Sequence, residues 1–167
     1  MTTDLSGRLP WGRLKQPDEL SCGAACLVVA RMLTDEEYAE QVLPRFSEEV
    51  LETHARIVGR YPRRLGTPPW PLSRELTAHL PGRYTVTRPP FWVLLAALAE
   101  QPAAIYVGNR LLPRHVVLGL GSGEGCWVVY DPARGGLVTV DREHASDRLP
   151  FGRWHRMWWA VTAEHPG

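Results

Sequence analysis

Lysine is almost missing from this chain: Lys15 stands alone among 19 basic residues, the rest being arginine, against 18 acidic residues. The charges nearly cancel at a formal net of +1, so no global field draws the protein to nucleic acid or to an anionic membrane. The arginine bias is read as base composition and given no functional weight. Cysteine is scarce as well. Cys22, Cys26 and Cys126 form no C-x-x-C pair and no Cys/His cluster at zinc spacing, and their odd count argues against a disulfide framework. A reducing setting is expected. No apolar stretch reaches the ~18 residues needed to span a bilayer, and residues 1–20 lack a basic start followed by an apolar run. The expectation is a soluble, cytoplasmic protein. Repeats and low-complexity segments are absent, and no metal, flavin, nucleotide or haem motif stands out, so no cofactor is expected.

What is present suffices for one core. A chain of 167 residues with 44% hydrophobic residues predicts a single domain over residues 1–167. "CGAACLVVARML", residues 22–33, is small or apolar on every face, which predicts a helix enclosed on most sides. Thr34 with Glu37 reads as a capping box for a second helix, "DEEYAEQVL", ended by Pro44. Ser47 followed by Glu48 and Glu49 reads as the start of a third, stopping near Gly59. After a proline-rich surface crossing, Leu72, Leu76 and Leu80 restore helical spacing, and "RPPFWVLLAALAEQP" predicts another helix closed by Pro102.

From residue 103 the texture changes to short runs rich in β-branched and aromatic residues: "AAIYVG", "HVVLGL", "CWVVYD", "LVTVD" and "MWWAVT". "GSGEG" and "PARGG" read as hairpin loops, so most of the sheet should be antiparallel. A helical half at about 16–102 followed by a β-sheet half at about 103–163 is an α+β architecture.

Four residues carry candidate chemistry. Cys22 falls at a helix N-terminus, where the dipole lowers a thiol pKa, and Gly23 beside it permits close backbone approach. Taken alone, a thiol on an apolar helix is more often packing than chemistry. Gln16, six residues upstream, could donate the second hydrogen bond to an oxyanion with the Cys22 amide, although a single loop glutamine is usually just solvated. His115 heads the strand "HVVLGL", a rigid mounting that suits a general base. His54, His79, His144, His155 and His165 lie in helical, polar or terminal contexts and are mostly expected to be exposed. Asp131 ends the neighbouring strand before Pro132, within reach of His115, where an acid can hold an imidazole in the tautomer that accepts a thiol proton. Its plainer reading is a turn residue in "DPARGG". Cys26, one helical turn below Cys22, is expected to pack beneath the site. Trp127, Trp158 and Trp159 are expected to fill the sheet core, with Trp70 and Trp92 as cleft walls.

"QPDELSCGAACL" together with "RHVVLGLGSGEGCWVVYDPARGG" resembles the papain-like cysteine peptidases, and most closely the bacteriocin-processing peptidase domain of certain ABC exporters and its stand-alone relatives. That family carries a Gln six residues before a Cys-Gly-x-x-Cys-Leu segment, then a His-x-Val-Val strand and an Asp-Pro-Ala-x-Gly turn. The resemblance runs from Gln16 to about Gly136, with residues 34–113 matched in helical character alone. It implies a papain-like fold with a central nucleophile helix packed on the antiparallel sheet. It also implies Cys22 as nucleophile, His115 as general base and acid, Asp131 as orienting acid and Gln16 as oxyanion donor.

Three functions fit. The first is a thiol-dependent peptidase that cleaves an amide bond through an acyl-enzyme. The second is an acyltransferase or cyclase using the same residues on a thioester or amide. The third is a non-catalytic module that binds a leader peptide. The partner is accordingly a peptide or acyl substrate, with a leader peptide or a carrier-bound acyl group among the candidates, and neither nucleic acid nor membrane. The oligomeric state stays open.

Overall fold

The computed structural model describes residues 7–62, 66–90, 93–94, 97, 100–123, 126–141 and 148–164. Its first long element is α1, Cys22–Thr34, with eleven of thirteen residues buried, which makes it the central helix that its apolar composition predicts. Each large apolar side chain it buries contributes about 1.5–3 kcal/mol. The helix packs on three further helices, α2 (Glu36–Val42), α3 (Phe46–Val58) and α4 (Pro69–His79), and on the sheet through strand β3 (Pro113–Gly123).

Capping between α1 and α2 (Glu36–Val42) departs from the sequence expectation. The N-cap is Asp35, whose side chain accepts from the Tyr38 N–H at 3.0 Å. Thr34 is the last residue of α1, and its hydroxyl donates back to the Arg31 carbonyl at 3.1 Å. A residue still inside one helix cannot cap the next, so Asp35 takes the role. Nor does Pro44 leave a gap: residues Leu43–Arg45 form a 3-10 turn leading into α3, which starts at Phe46 rather than at Ser47. α3 ends at Gly59, whose φ of 55° suits glycine alone.

All strand pairings are antiparallel, in the order β1-β6-β2-β3-β4-β5. Besides β3, the sheet comprises β1 (Tyr84–Thr87), β2 (Ala103–Gly108), β4 (Cys126–Asp131), β5 (Gly136–Asp141) and β6 (Arg156–Ala163). Strand β1 lies inside the half expected to be helical. Only four residues long, it gains its place by pairing with β6. In the proposed helix at residues 88–102, Val93, Leu94 and Ala97 are helical, and Trp92 lies outside the described residues. The tip of the "GSGEG" loop, residues 124–125, also lies outside them.

Alternation along the strands builds two apolar layers. Ala104, Tyr106, Val116, Leu118 and Val161 face the helices. Ile105, Val107, Val117, Val129 and Ala160 face the opposite side, where Leu149 and Phe151 cover them. Trp127 is fully buried, as expected. Trp158 and Trp159 are half-buried instead. A bulge pairs Tyr106 with Trp159 and Val107 with Met157, leaving Trp158 as the extra residue, so the two indoles lie together against the helix-side layer near the end of the sheet. No helix among the described residues is long and apolar enough to cross a membrane.

Candidate active site

Helix α1 begins at the sheet end where β3 starts and β4 stops, and the candidate residues meet there. Leu118 pairs with Tyr130, which sets Asp131 level with Val117 and puts it two residues from His115 on the same face. His115 Nε2 and Asp131 Oδ1 are 2.7 Å apart, and both residues are about 3% exposed. Cys22, at the start of α1, lies close enough to act on the same ring. With Nε2 committed to Asp131, Nδ1 is the ring nitrogen left for the thiol.

Burial alone would lower the pKa of His115, but its bond to Asp131, with the charge of that carboxylate and the nearby Cys22, pushes it up to about 9. The imidazolium is therefore the favoured form at neutral pH. Beside such a ring the Cys22 sulfur has a cation to offset the negative charge it carries when it attacks a carbonyl. The helix start adds to this: Ser21 makes no side-chain capping bond, so the first-turn N–H groups of α1, that of Cys22 included, are left uncapped by it.

Asp131 is itself held in place. Its Oδ1 also accepts from the Ala133 N–H at 3.0 Å, and Arg134 Nε stands 3.7 Å from Oδ2. Its backbone carbonyl accepts from Arg134 and Gly135, which closes the β4–β5 turn. Gly135 has a φ of 74°, and a Cβ there would come within 2.7 Å of the Lys15 backbone nitrogen. That close approach lets residues 12–16 lie across the turn: Gly12 and Leu14 donate to the Gly135 carbonyl, and Gln16 N–H donates to Pro132 O at 2.9 Å. Gln16 is thus anchored by its backbone to the turn that follows Asp131. Its Nε2 donates to Asp18 O at 2.6 Å, which uses one of two amide protons, and its Oε1 is buried with no partner.

Gly23 has a steric role. A Cβ on it would sit 2.5 Å from Thr67 Cβ, so only glycine lets the segment at residues 66–68 cross the start of α1. The Tyr106 hydroxyl pins that segment by donating to Thr67 O at 2.9 Å. Trp70 follows it, half-exposed with its edge against Tyr61. Cys26 lies beneath, fully buried with its thiol 3.5 Å from Val116 O, and burial pushes its pKa well up. It stays a protonated thiol, packed as expected.

Trp154 was not singled out from the sequence. Its ring stacks on His115 at 4.9 Å between centroids and 27° between planes. It arrives on a turn made by the Phe151–Trp154 bridge and by Gly152 at φ 65°, in a segment with no periodic pattern to mark it. His54 departs from the expected exposure: it shares the inward face of α3 with Val50, Ile57 and Val58 and is 5% exposed. The spacing of 50, 54, 57 and 58 was the available signal. His155 and His79 are exposed, whereas His144 and His165 lie outside the described residues. An open recess at the far end of α1, lined by Arg31, Asp35 and His79 among others, is remote from Cys22. Among the described residues no three His, Cys, Asp or Glu side chains gather as metal ligands.

No family model matches the chain, and no curated protein matches it either. Among solved structures it is similar to a double glycine motif protease from an AMS/PCAT transporter, determined in complex with the leader peptide. The TM-score is 0.52 at 18% identity, with 95% of each chain covered. The helix order, the antiparallel sheet and this likeness together show that the chain has the α+β fold of that protease domain.

Proposed function

We propose that the protein is a cysteine peptidase-type enzyme in which Cys22 attacks the carbonyl of a peptide bond. The observation that carries this reading is the buried His115–Asp131 pair, 2.7 Å apart, beside Cys22 at the start of α1. The thiolate adds to the carbonyl, and the oxyanion is held by the Cys22 N–H and by a Gln16 amide proton. The His115 imidazolium then gives its Nδ1 proton to the leaving amine, which departs and leaves a thioester on Cys22. Water, deprotonated by the now neutral ring, attacks the thioester and releases the acid. Asp131 keeps Nε2–H occupied throughout and so holds the ring in register.

The substrate class follows from the fold likeness to a protease determined with a leader peptide. A peptide with a Gly-Gly pair before the scissile bond is the first to try. Incubated with the full chain, it should be cut after the second glycine, and Cys22→Ala should cut none. Undiminished cleavage by Cys22→Ala refutes the reading.

A further inference from the structure

Residues 17–20 form the turns between Gln16 and the start of α1, and one carbonyl among them gathers the side chains on either side. The Gln16 amide donates from Nε2 to Asp18 O at 2.6 Å. From the other side Ser21, fully buried and next to Cys22, directs its hydroxyl to the same oxygen at 3.5 Å. The Asp18 side chain fixes where that oxygen lies, because its Oδ1 accepts from the Leu20 N–H at 2.9 Å and closes the turn on itself.

The bond to Asp18 O decides which way the Gln16 amide faces. The amide oxygen could not take the place of Nε2, since two acceptors would then meet at 2.6 Å. At the other end of the amide, Oε1 is buried with no partner. An unpaired buried acceptor is costly, and rotation of the amide would relieve it, so the orientation depends on the bond that Nε2 makes. The bond from Gln16 N–H to Pro132 O holds the backbone and leaves the side chain free to turn.

We infer that Asp18 is a positioning residue for the oxyanion donor: its side chain fixes the turn, its carbonyl clamps one proton of the Gln16 amide, and the second proton is kept for the oxyanion. The inference rests on the peptidase reading, which makes Gln16 that donor. An oxyanion exists only after attack, so a loosened donor lowers kcat and leaves KM where it was. Removing such a donor outright costs about 10²–10³-fold in kcat, and freeing it to turn costs less. The plainer role for an exposed acid just before a helix is a favourable charge near the positive end of the dipole. Charge and acceptor can be separated at this position.

Asp18→Ala removes both, whereas Asp18→Asn keeps an Oδ1 acceptor without the charge. The first measurement needs no turnover. In nitrogen-proton correlation spectra of the full isotope-labelled chain, the side-chain NH2 pair of Gln16 is identified by its loss in Gln16→Ala. Its clamped proton should be shifted downfield, fall back to an ordinary value in Asp18→Ala and stay shifted in Asp18→Asn, while the backbone signals report that each variant folds. The second is turnover of a Gly-Gly peptide: kcat should fall about ten-fold in Asp18→Ala at unchanged KM, return in Asp18→Asn, and fall no further when Asp18→Ala is added to Gln16→Ala. A Gln16 amide signal that is the same in the wild type and Asp18→Ala overturns the clamp. Equal loss of kcat in both Asp18 variants, or a further fall on the Gln16→Ala background, overturns its part in catalysis. A wild type that cleaves nothing refutes the peptidase reading instead, and the amide signal still decides the clamp.

Discussion

Replacing Asp131 by Asn leaves the shape of the site intact and removes one charge from it. The carboxamide oxygen can still accept from His115 and from the Ala133 N–H, so the turn should fold as before. What changes is the ring. His115 is raised from 6.5 to about 9 by Asp131 and Cys22 working against burial. A rise from 6.5 to about 9 corresponds to about 3 kcal/mol, since each tenfold change in proton affinity is worth about 1.4 kcal/mol. Asp131 heads the raising causes, so about 2 kcal/mol of that is assigned to it. Because the folded pKa lies above the unfolded one, this stabilisation is fully present below about 6.5 and is lost as pH rises through about 9. Urea unfolding of the wild type and Asp131→Asn between about pH 5.5 and about pH 10 reads the difference directly. The wild type should be about 2 kcal/mol more stable near pH 6, and the advantage should shrink to a small remainder near pH 10. Contributions from the buried tyrosines cancel in the difference. A stability gap that stays constant with pH refutes the reasoning, since it would mean that Asp131 does not hold a charged ring.

Three further substitutions probe the surroundings of the relay. Gly135→Ala forces a Cβ to within 2.7 Å of the Lys15 backbone at a φ of 74°, so it should destabilise by about 1–3 kcal/mol and lower peptidase activity by loosening Gln16, read by melting temperature alongside kcat/KM. Trp154→Ala uncovers the stacked face of His115; activity should fall with little change in melting temperature, and the basic limb of the pH profile should move above about 9 as the burial that lowers the ring's pKa is relieved. Cys26→Ala removes only a buried thiol with a weak bond to Val116 O, so turnover should stay near wild type with a loss of stability of about 1 kcal/mol, measured by denaturation.

How far the sequence led depends on whether a signal was local. The apolar run after Cys22 marked a buried helix because enclosure requires an apolar residue on every face. The pairing of His115 with Asp131 could be foreseen because a tight hairpin makes their strands neighbours, and it counted for more than either residue's own context. Strand β1 was hidden because four residues after Pro81–Gly82 carry little pattern, and only β6 makes them a strand. Thr34 and Asp35 both had capping chemistry, and which one served depended on where α1 ran out. Trp154 reaches His115 through a glycine turn with no periodicity. Sequence distance conceals such contacts.

The central claim is that Cys22, alone among the three cysteines, is made a nucleophile by His115. Iodoacetamide alkylation at neutral pH, resolved by peptide mass for Cys22, Cys26 and Cys126, tests it without knowledge of any substrate. Cys22 should react about ten-fold faster than the partly exposed Cys126, and His115→Ala should remove that advantage. Cys26, buried and protonated, should stay unreactive. A Cys22 rate no higher than that of Cys126 in the wild type, or one unmoved by loss of His115, would contradict the account.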